Sequence, residues 1–240
     1  MPNAASTRLA GPSGQPIALT IAGSDPSGGA GIQADLKTFH QFGVYGEAAI
    51  TLLTVQNTTS VSRVQVMSPG MVADQIRAVV NDIPPRAAKT GALGSAEMIA
   101  AVATEASKFR FPLVVDPVMI SKHGAPLLPV AARDTLRRLL LPVCFLVTPN
   151  LFEAAELTEA EIDDAEGMRE AARKIADMGP AAVLVKGGHL TDEARDILYV
   201  DGAFHEYPSE HIDTPHTHGT GCTFSAAIVA CLAREIALPA

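Results

Sequence analysis

Apolar positions along the chain alternate between two periods. Unbroken runs at PIALTIAG from residue 16, AAITLLTVQN from 48, FPLVVDPVM from 111, VCFLVTP from 143 and AAVLVKGGH from 181 suit strands buried on both faces. RAAKTGALG, from residue 86, adds another short strand and a glycine turn. Between the runs the spacing becomes helical. Ile32, Leu36, Phe39 and Phe42 share one face of a helix that Gly43 stops. Ser68 caps a second helix with Pro69 as its first residue, and Met71, Val72, Ile76, Val79 and Val80 form its buried stripe. Alanine-rich residues through Ser107, residues 130–141 and residues 165–178 read as three more helices. In the last of these Met168, Ala171, Ala172 and Ile175 point inward, and Gly179 and Pro180 end it. DILYVDG and AFHEYP predict a hairpin at or near a sheet edge. This order predicts an α/β fold of three layers, a mostly parallel central sheet with helices on both faces.

At 240 residues the chain has room for one large domain, expected over 16–240. MPNAASTRLAGPSG lacks the apolar stretch of a signal peptide, so residues 1–15 read as a flexible tail. Eighteen basic against 26 acidic residues give a net charge of −8 with no dense basic patch, which argues against a nucleic-acid partner. Cys144, Cys222 and Cys231 make an odd count without a close pair, pointing to a reducing cytoplasm. The apolar run 139–147 is too short for a bilayer and holds Pro142, so no membrane role is expected.

Candidate chemistry gathers where strands end. Residues 217–233, THGTGCTFSAAIVACLA, read as a glycine loop feeding a helix whose Phe224, Ala227, Ile228 and Cys231 have helical spacing. Unpaired N–H groups and the positive dipole end make such a loop a cradle for an anion. Cys222 falls on the first turn, where the dipole lowers a thiol pKa. The GGAG after the first strand lacks the spacing of a dinucleotide fingerprint, which discounts a Rossmann dehydrogenase. Gln56 and Asn57 end the second strand, Asp116 is held extended by Pro117, and Lys186 precedes two glycines. Asn150 and Glu153 lie three apart on one first turn. Gly23, Gln56, Asp116, Asn150, Lys186 and residues 219–222 are thus expected along one crevice at the strands' C-terminal edge. An anion cradle, a lysine and two acids are the parts of a phosphoryl-transfer site, with the acids placed to hold Mg²⁺.

These segments also carry a family resemblance. LTIAGSDPSGGAGIQADLKTF, TLLTVQNT, DPVM, TPNLFEA, VLVKGGH and HTHGTGCTFSAA resemble the hydroxymethylpyrimidine and phosphomethylpyrimidine kinases of thiamine biosynthesis, in the ribokinase-like superfamily. The match runs from about residue 17 to 230. It implies phosphorylation of 4-amino-5-hydroxymethyl-2-methylpyrimidine by MgATP, then of the monophosphate, by a homodimer. By resemblance, Gln56 binds the pyrimidine's amino and ring nitrogens, and Gly23, Asp35 and Val118 line its pocket. Asn150 and Lys186 face the ATP phosphates, while Asp116 and Glu153 act through Mg²⁺. Gly219, Thr220 and Gly221 form the anion hole, and Cys222 stands where sugar-kinase relatives have an aspartate base. Its thiolate would meet repulsion from the phosphate, so it accepts the hydroxymethyl proton late or only positions that oxygen. Ala92 replaces a methionine common in the family, implying a roomier wall. The family usually continues beyond the position of Ala240 with more helix. Alternatives are a pyridoxal or pyridoxine kinase of the same superfamily, a non-catalytic pyrimidine-binding module, and a cysteine hydrolase using Cys222 with His216 or His218.

Overall fold

The computed structural model describes residues 14–121, 124–188, 194–210, 212, 214 and 216–239. The tail expected over 1–15 therefore lies almost wholly outside the described residues. One nine-stranded sheet runs in the order β3-β2-β1-β4-β5-β6-β7-β8-β9. Its parallel centre is β2 (Tyr45–Gln56), β1 (Ile17–Ser24), β4 (Ala87–Thr90), β5 (Leu113–Val115), β6 (Leu146–Val147) and β7 (Ala182–Lys186). β3 (Val61–Val66), β8 (Ala194–Val200) and β9 (Ala203–Ser209) pair antiparallel at the two edges. The central strands are buried because helices cover both faces. α1 (Gly31–Gln41) and α7 (Thr220–Ala233) pack with one apolar cluster. The other face holds α2 (Pro69–Asp82), α3 (Ala96–Ala106), α4 (Val130–Thr135), α5 (Leu151–Thr158) and α6 (Ala165–Ala176).

The chain leaves β1 toward β2 but leaves β4 toward β5, so the adjacent pair β1 and β4 is the topological switch point. A crevice opens outside the C-terminal ends of strands at such a point. Ala18 to Ile21 of β1 run in register with Ala87 to Thr90 of β4, which places the side chains of Thr20 and Lys89 next to each other.

Most sequence expectations hold. Ser68 accepts from the Met71 N–H and caps α2 behind Pro69, and Met168, Ala171, Ala172 and Ile175 are the buried face of α6. The edge hairpin forms, turning at Asp201 and Gly202. Four readings are corrected. Met71, in the first turn of α2, is 53% exposed. The helix expected over 130–141 is α4, then a π turn over Leu136–Leu140 and a 3₁₀ turn over Leu141–Val143. On α7 the buried face is Ser225, Ala226, Val229, Ala230 and Ala233, with Phe224 and Ile228 only partly buried. That helix is apolar nearly all round, so periodicity could not choose its face, and the smallest residues go inward. β3 was not expected at all, since its alternating polar residues lie on an exposed edge.

Glu47 on β2 is 7% exposed, and its Oε2 has no hydrogen-bond partner. Burial, and then the charge of Asp82 at the end of α2, push its carboxyl up to about 7. Between the unfolded value near 4.5 and this raised one, the native state holds the extra proton, so folding stability falls as pH rises through that window. Glu47→Gln should add about 1–3 kcal/mol at pH 8 and close to nothing at pH 4.5. Urea unfolding of both proteins at the two pH values checks this, and an equal effect at both would contradict it.

Candidate active site

The crevice is a cavity of about 1130 Å³ at the strand ends. Twelve of the residues singled out from the sequence line it: Gly23, Asp35 and Gln56, then Asp116, Val118, Asn150 and Glu153, and finally Lys186 with residues 219–222; Asn57 does not, its side chain accepting from Thr59 and Ser60 in its own turn. Ala92 is also in its wall, its carbonyl accepting from Thr51 Oγ1 at 2.6 Å.

One end of the cavity is the start of α7. Gly219 caps the helix at φ 78°, and a Cβ there would overlap the Gly29 carbonyl. Gly31, at φ 56°, starts α1 against the Gly23 carbonyl with equally little room. Two backbones thus touch where only glycine fits. α7 opens at the cavity with no side-chain cap; the Thr220 N–H donates to the Thr217 carbonyl at 3.4 Å, and the N–H groups that follow in the first turn have no partner inside the helix. A methyl on Gly221 would stand 3.5 Å from Lys186 Nζ and 3.9 Å from Asp116 Oδ2. Cradle, lysine and acid are therefore one site.

Lys186 ends β7 and lies 3.4 Å from Asp116 Oδ1, while Ser225 Oγ donates to Asp116 Oδ2 at 3.1 Å. Burial pulls the lysine's pKa down, but Asp116 and Glu153 outweigh it, so the ammonium is held above its usual value and stays charged. Asn150 and Glu153 form a capping box at the start of α5, each side chain accepting the other's backbone N–H at 2.9 Å. Burial and the charge of Asp116 raise the Glu153 carboxyl to about 7, against the pull of Lys186 and the Asn150 and Met119 N–H groups. Among the described residues no three His, Cys, Asp or Glu side chains gather as a metal cage. One or two carboxylates beside a phosphate cradle fit Mg²⁺, which keeps waters and takes its remaining ligands from phosphate.

The thiol corrects one expectation. Burial dominates the Cys222 environment and, with Asp116 and Asp35 nearby, pushes the thiol up to about 11 despite Lys89 and the Gly31 N–H. The helix dipole that was expected to lower it is overridden by desolvation. A cysteine hydrolase lacks its ready thiolate. His218 Nε2 lies 2.8 Å from Asp25 Oδ2 and 3.4 Å from Gln56 Nε2, at the end of the cavity that Gln56 lines, and His216 is exposed.

Two pairings escaped the sequence reading. Asp25 takes Ser27, Ala30 and His218 as partners, and His218 lies 193 positions away. Lys89 is fully buried against Asp35 at 2.7 Å, and Thr20 Oγ1 donates to the other Asp35 oxygen at 2.6 Å. A lysine within the strand run AAKT was the available signal.

Fold and site define a ribokinase-like small-molecule kinase. A family model described as phosphomethylpyrimidine kinase matches residues 25–240. A hydroxymethylpyrimidine/phosphomethylpyrimidine kinase of Synechococcus elongatus is 50% identical, over 90% of this chain and 82% of its own length. A bifunctional thiamine biosynthesis protein of Geobacter sulfurreducens is also 50% identical over 90% of this chain, which spans 44% of that longer protein. The solved phosphomethylpyrimidine kinase of Clostridium difficile 630 superposes with a TM-score of 0.84 at 44% identity, covering 93% of each chain. An ADP complex of Bacillus subtilis pyridoxal kinase gives 0.84 at 40% identity, covering 92% of this chain and 85% of that one. The chain belongs to the phosphomethylpyrimidine kinase family.

A thiol near 11 is almost wholly protonated at neutral pH. Alkylation of Cys222 by iodoacetamide, read by peptide mass spectrometry, should be slow at pH 7.5 and rise about tenfold per pH unit to 9.5. A rate already level by pH 8 would contradict this environment.

Proposed function

We propose that this kinase transfers the γ-phosphoryl group of ATP to the hydroxymethyl oxygen of 4-amino-5-hydroxymethyl-2-methylpyrimidine, and then a second phosphoryl group to the monophosphate, as a step of thiamine diphosphate biosynthesis. The observation that carries the reading is Lys186, Asp116 and the Gly221 turn of α7 meeting within one cavity. Residues 16–240 act as one kinase unit in this reading, since a single sheet runs through them.

Phosphoryl transfer needs little covalent help from protein; it needs in-line placement and charge stabilisation. The Gln56 amide both donates and accepts, which suits the pyrimidine's amino group and ring nitrogen. Gly23 and Val118 give the ring a close, apolar wall. The N–H groups at 219–221 receive the equatorial oxygens of the moving group, where negative charge must be met. Lys186 supplies a permanent positive charge beside them, and Asn150 faces the same phosphates. Mg²⁺, held by Asp116 and Glu153 with phosphate oxygens, supplies further charge neutralisation when bound. Cys222 keeps its proton, so its part is to orient the hydroxymethyl oxygen, whose own proton passes late in a loose transfer to an oxygen of the transferred phosphoryl group. The net charge of −8 and the three free cysteines suit a cytoplasmic enzyme, and the family resemblance supports a homodimer. Among the described residues no helix is long and apolar enough to cross a membrane.

A pyridoxal kinase is the second reading, favoured by the likeness to the Bacillus subtilis enzyme. ADP release with MgATP should be fastest with the hydroxymethylpyrimidine, slower with pyridoxal, and absent without an acceptor. Preference for pyridoxal would reverse the assignment, and pyrimidine binding without turnover would leave only a binding module. Lys186→Met should lower kcat about 10²–10³-fold with a small change in the pyrimidine KM, as expected for a charge that acts on the transferring group. An unchanged kcat would remove Lys186 from the chemistry.

A further inference from the structure

Beneath the cavity floor, Thr20, Asp35 and Lys89 are all fully buried. They join β1, α1 and β4 at the switch point, and their contacts use both Asp35 oxygens. The remaining contact of the ammonium is outward to function: Lys89 Nζ donates to the Cys222 carbonyl at 3.1 Å. The Ser225 hydroxyl, with one proton to give, lies 3.1 Å from that carbonyl, 3.0 Å from the Gly221 carbonyl and 3.1 Å from Asp116 Oδ2. Burying two charges brings no stability that a well-packed apolar pair could not match, so the fold's stability does not explain their presence. What only a charged donor provides here is a fixed hydrogen bond to the first turn of α7, with Asp35 and Thr20 fixing the donor.

We propose that Lys89 is a positioning residue for phosphoryl transfer, and that Asp35 acts through it: the buried pair sets the first turn of α7, and with it the anion-hole N–H groups and the Cys222 thiol, against the sheet. The inference rests on the kinase reading above and reassigns Asp35. The resemblance implied that Asp35 lines the pyrimidine pocket, and the residue does border the cavity, but its side chain is fully buried and its hydrogen bonds go to Lys89 and Thr20.

The test is the double variant Lys89→Met with Asp35→Leu, which replaces the pair by apolar side chains and leaves no lone buried charge. Positioning predicts a folded protein whose kcat falls at least about tenfold while the KM values for ATP and pyrimidine stay within about threefold. Hydrogen exchange of the peptide over 219–226, followed by mass spectrometry without substrate, should quicken at least about tenfold relative to peptides from β5 and α6. A folded double variant with wild-type kcat and a uniform change in exchange would reduce the pair to packing and overturn the proposal. Should the double variant fail to fold, Asp35→Asn with Lys89→Met preserves the volume at position 35, leaves no lone buried charge and decides the matter. A kcat loss of at least about fivefold at steady KM supports positioning. An unchanged kcat, or a rise confined to the pyrimidine KM, overturns it, the latter placing Asp35 on the substrate. The exchange arm needs no turnover, so it still answers if the wild-type protein proves inactive and the kinase reading fails.

Discussion

Among the described glycines the tightest fit is between two backbones: the start of α7 at Gly219 lies on the loop that leaves β1, at Gly29, with no space for a side chain between them. Everything that makes the cavity a site depends on that contact. It brings a helix from the end of the chain, with its unpaired N–H groups, to the strand ends at the switch point of the sheet. There β7 delivers Lys186, and the residue after β5 is Asp116. Open the contact by a methyl group and the first turn of α7 moves away from Lys186.

Around this contact the protein keeps its charges in two states. Lys186 and Lys89 stay cationic because carboxylates answer them across short distances, even where burial works the other way. Glu153 and Cys222 hold protons that their free counterparts would more readily release, because burial and the charge of Asp116 oppose a further anion. The result is a pocket whose floor is poor in free negative charge and rich in fixed donors. A polyanionic nucleotide beside a neutral alcohol needs such an environment.

How much of this could be read from sequence varies with the physics at each position. The central strands, α1, α2, α6 and the edge hairpin were legible because burial on both faces, caps and turn residues leave local signatures. The Asn150 and Glu153 spacing announced a shared helix turn, and the structure makes it a capping box. β3 was hidden because Ser62, Arg63 and Gln65 break up its valines on an exposed edge. The face of α7 was hidden because small apolar residues surround it. Pairings across long separations, Lys89 with Asp35 and Asp25 with His218, left no periodic trace. The thiol was misread for a related reason: a first-turn cysteine shows the dipole in sequence, whereas its burial and acidic neighbours come from distant segments.

The most direct test of the account follows the backbone amides of Gly221 and Cys222 by ¹⁵N nuclear magnetic resonance while ADP, Mg²⁺, aluminium fluoride and the hydroxymethylpyrimidine are added as a mimic of the transferring phosphoryl group. If the first turn of α7 receives that group, these two amides show the largest downfield shifts in the protein. Strong binding of the mimic with those amides unmoved, and the main shifts elsewhere, would contradict the central claim.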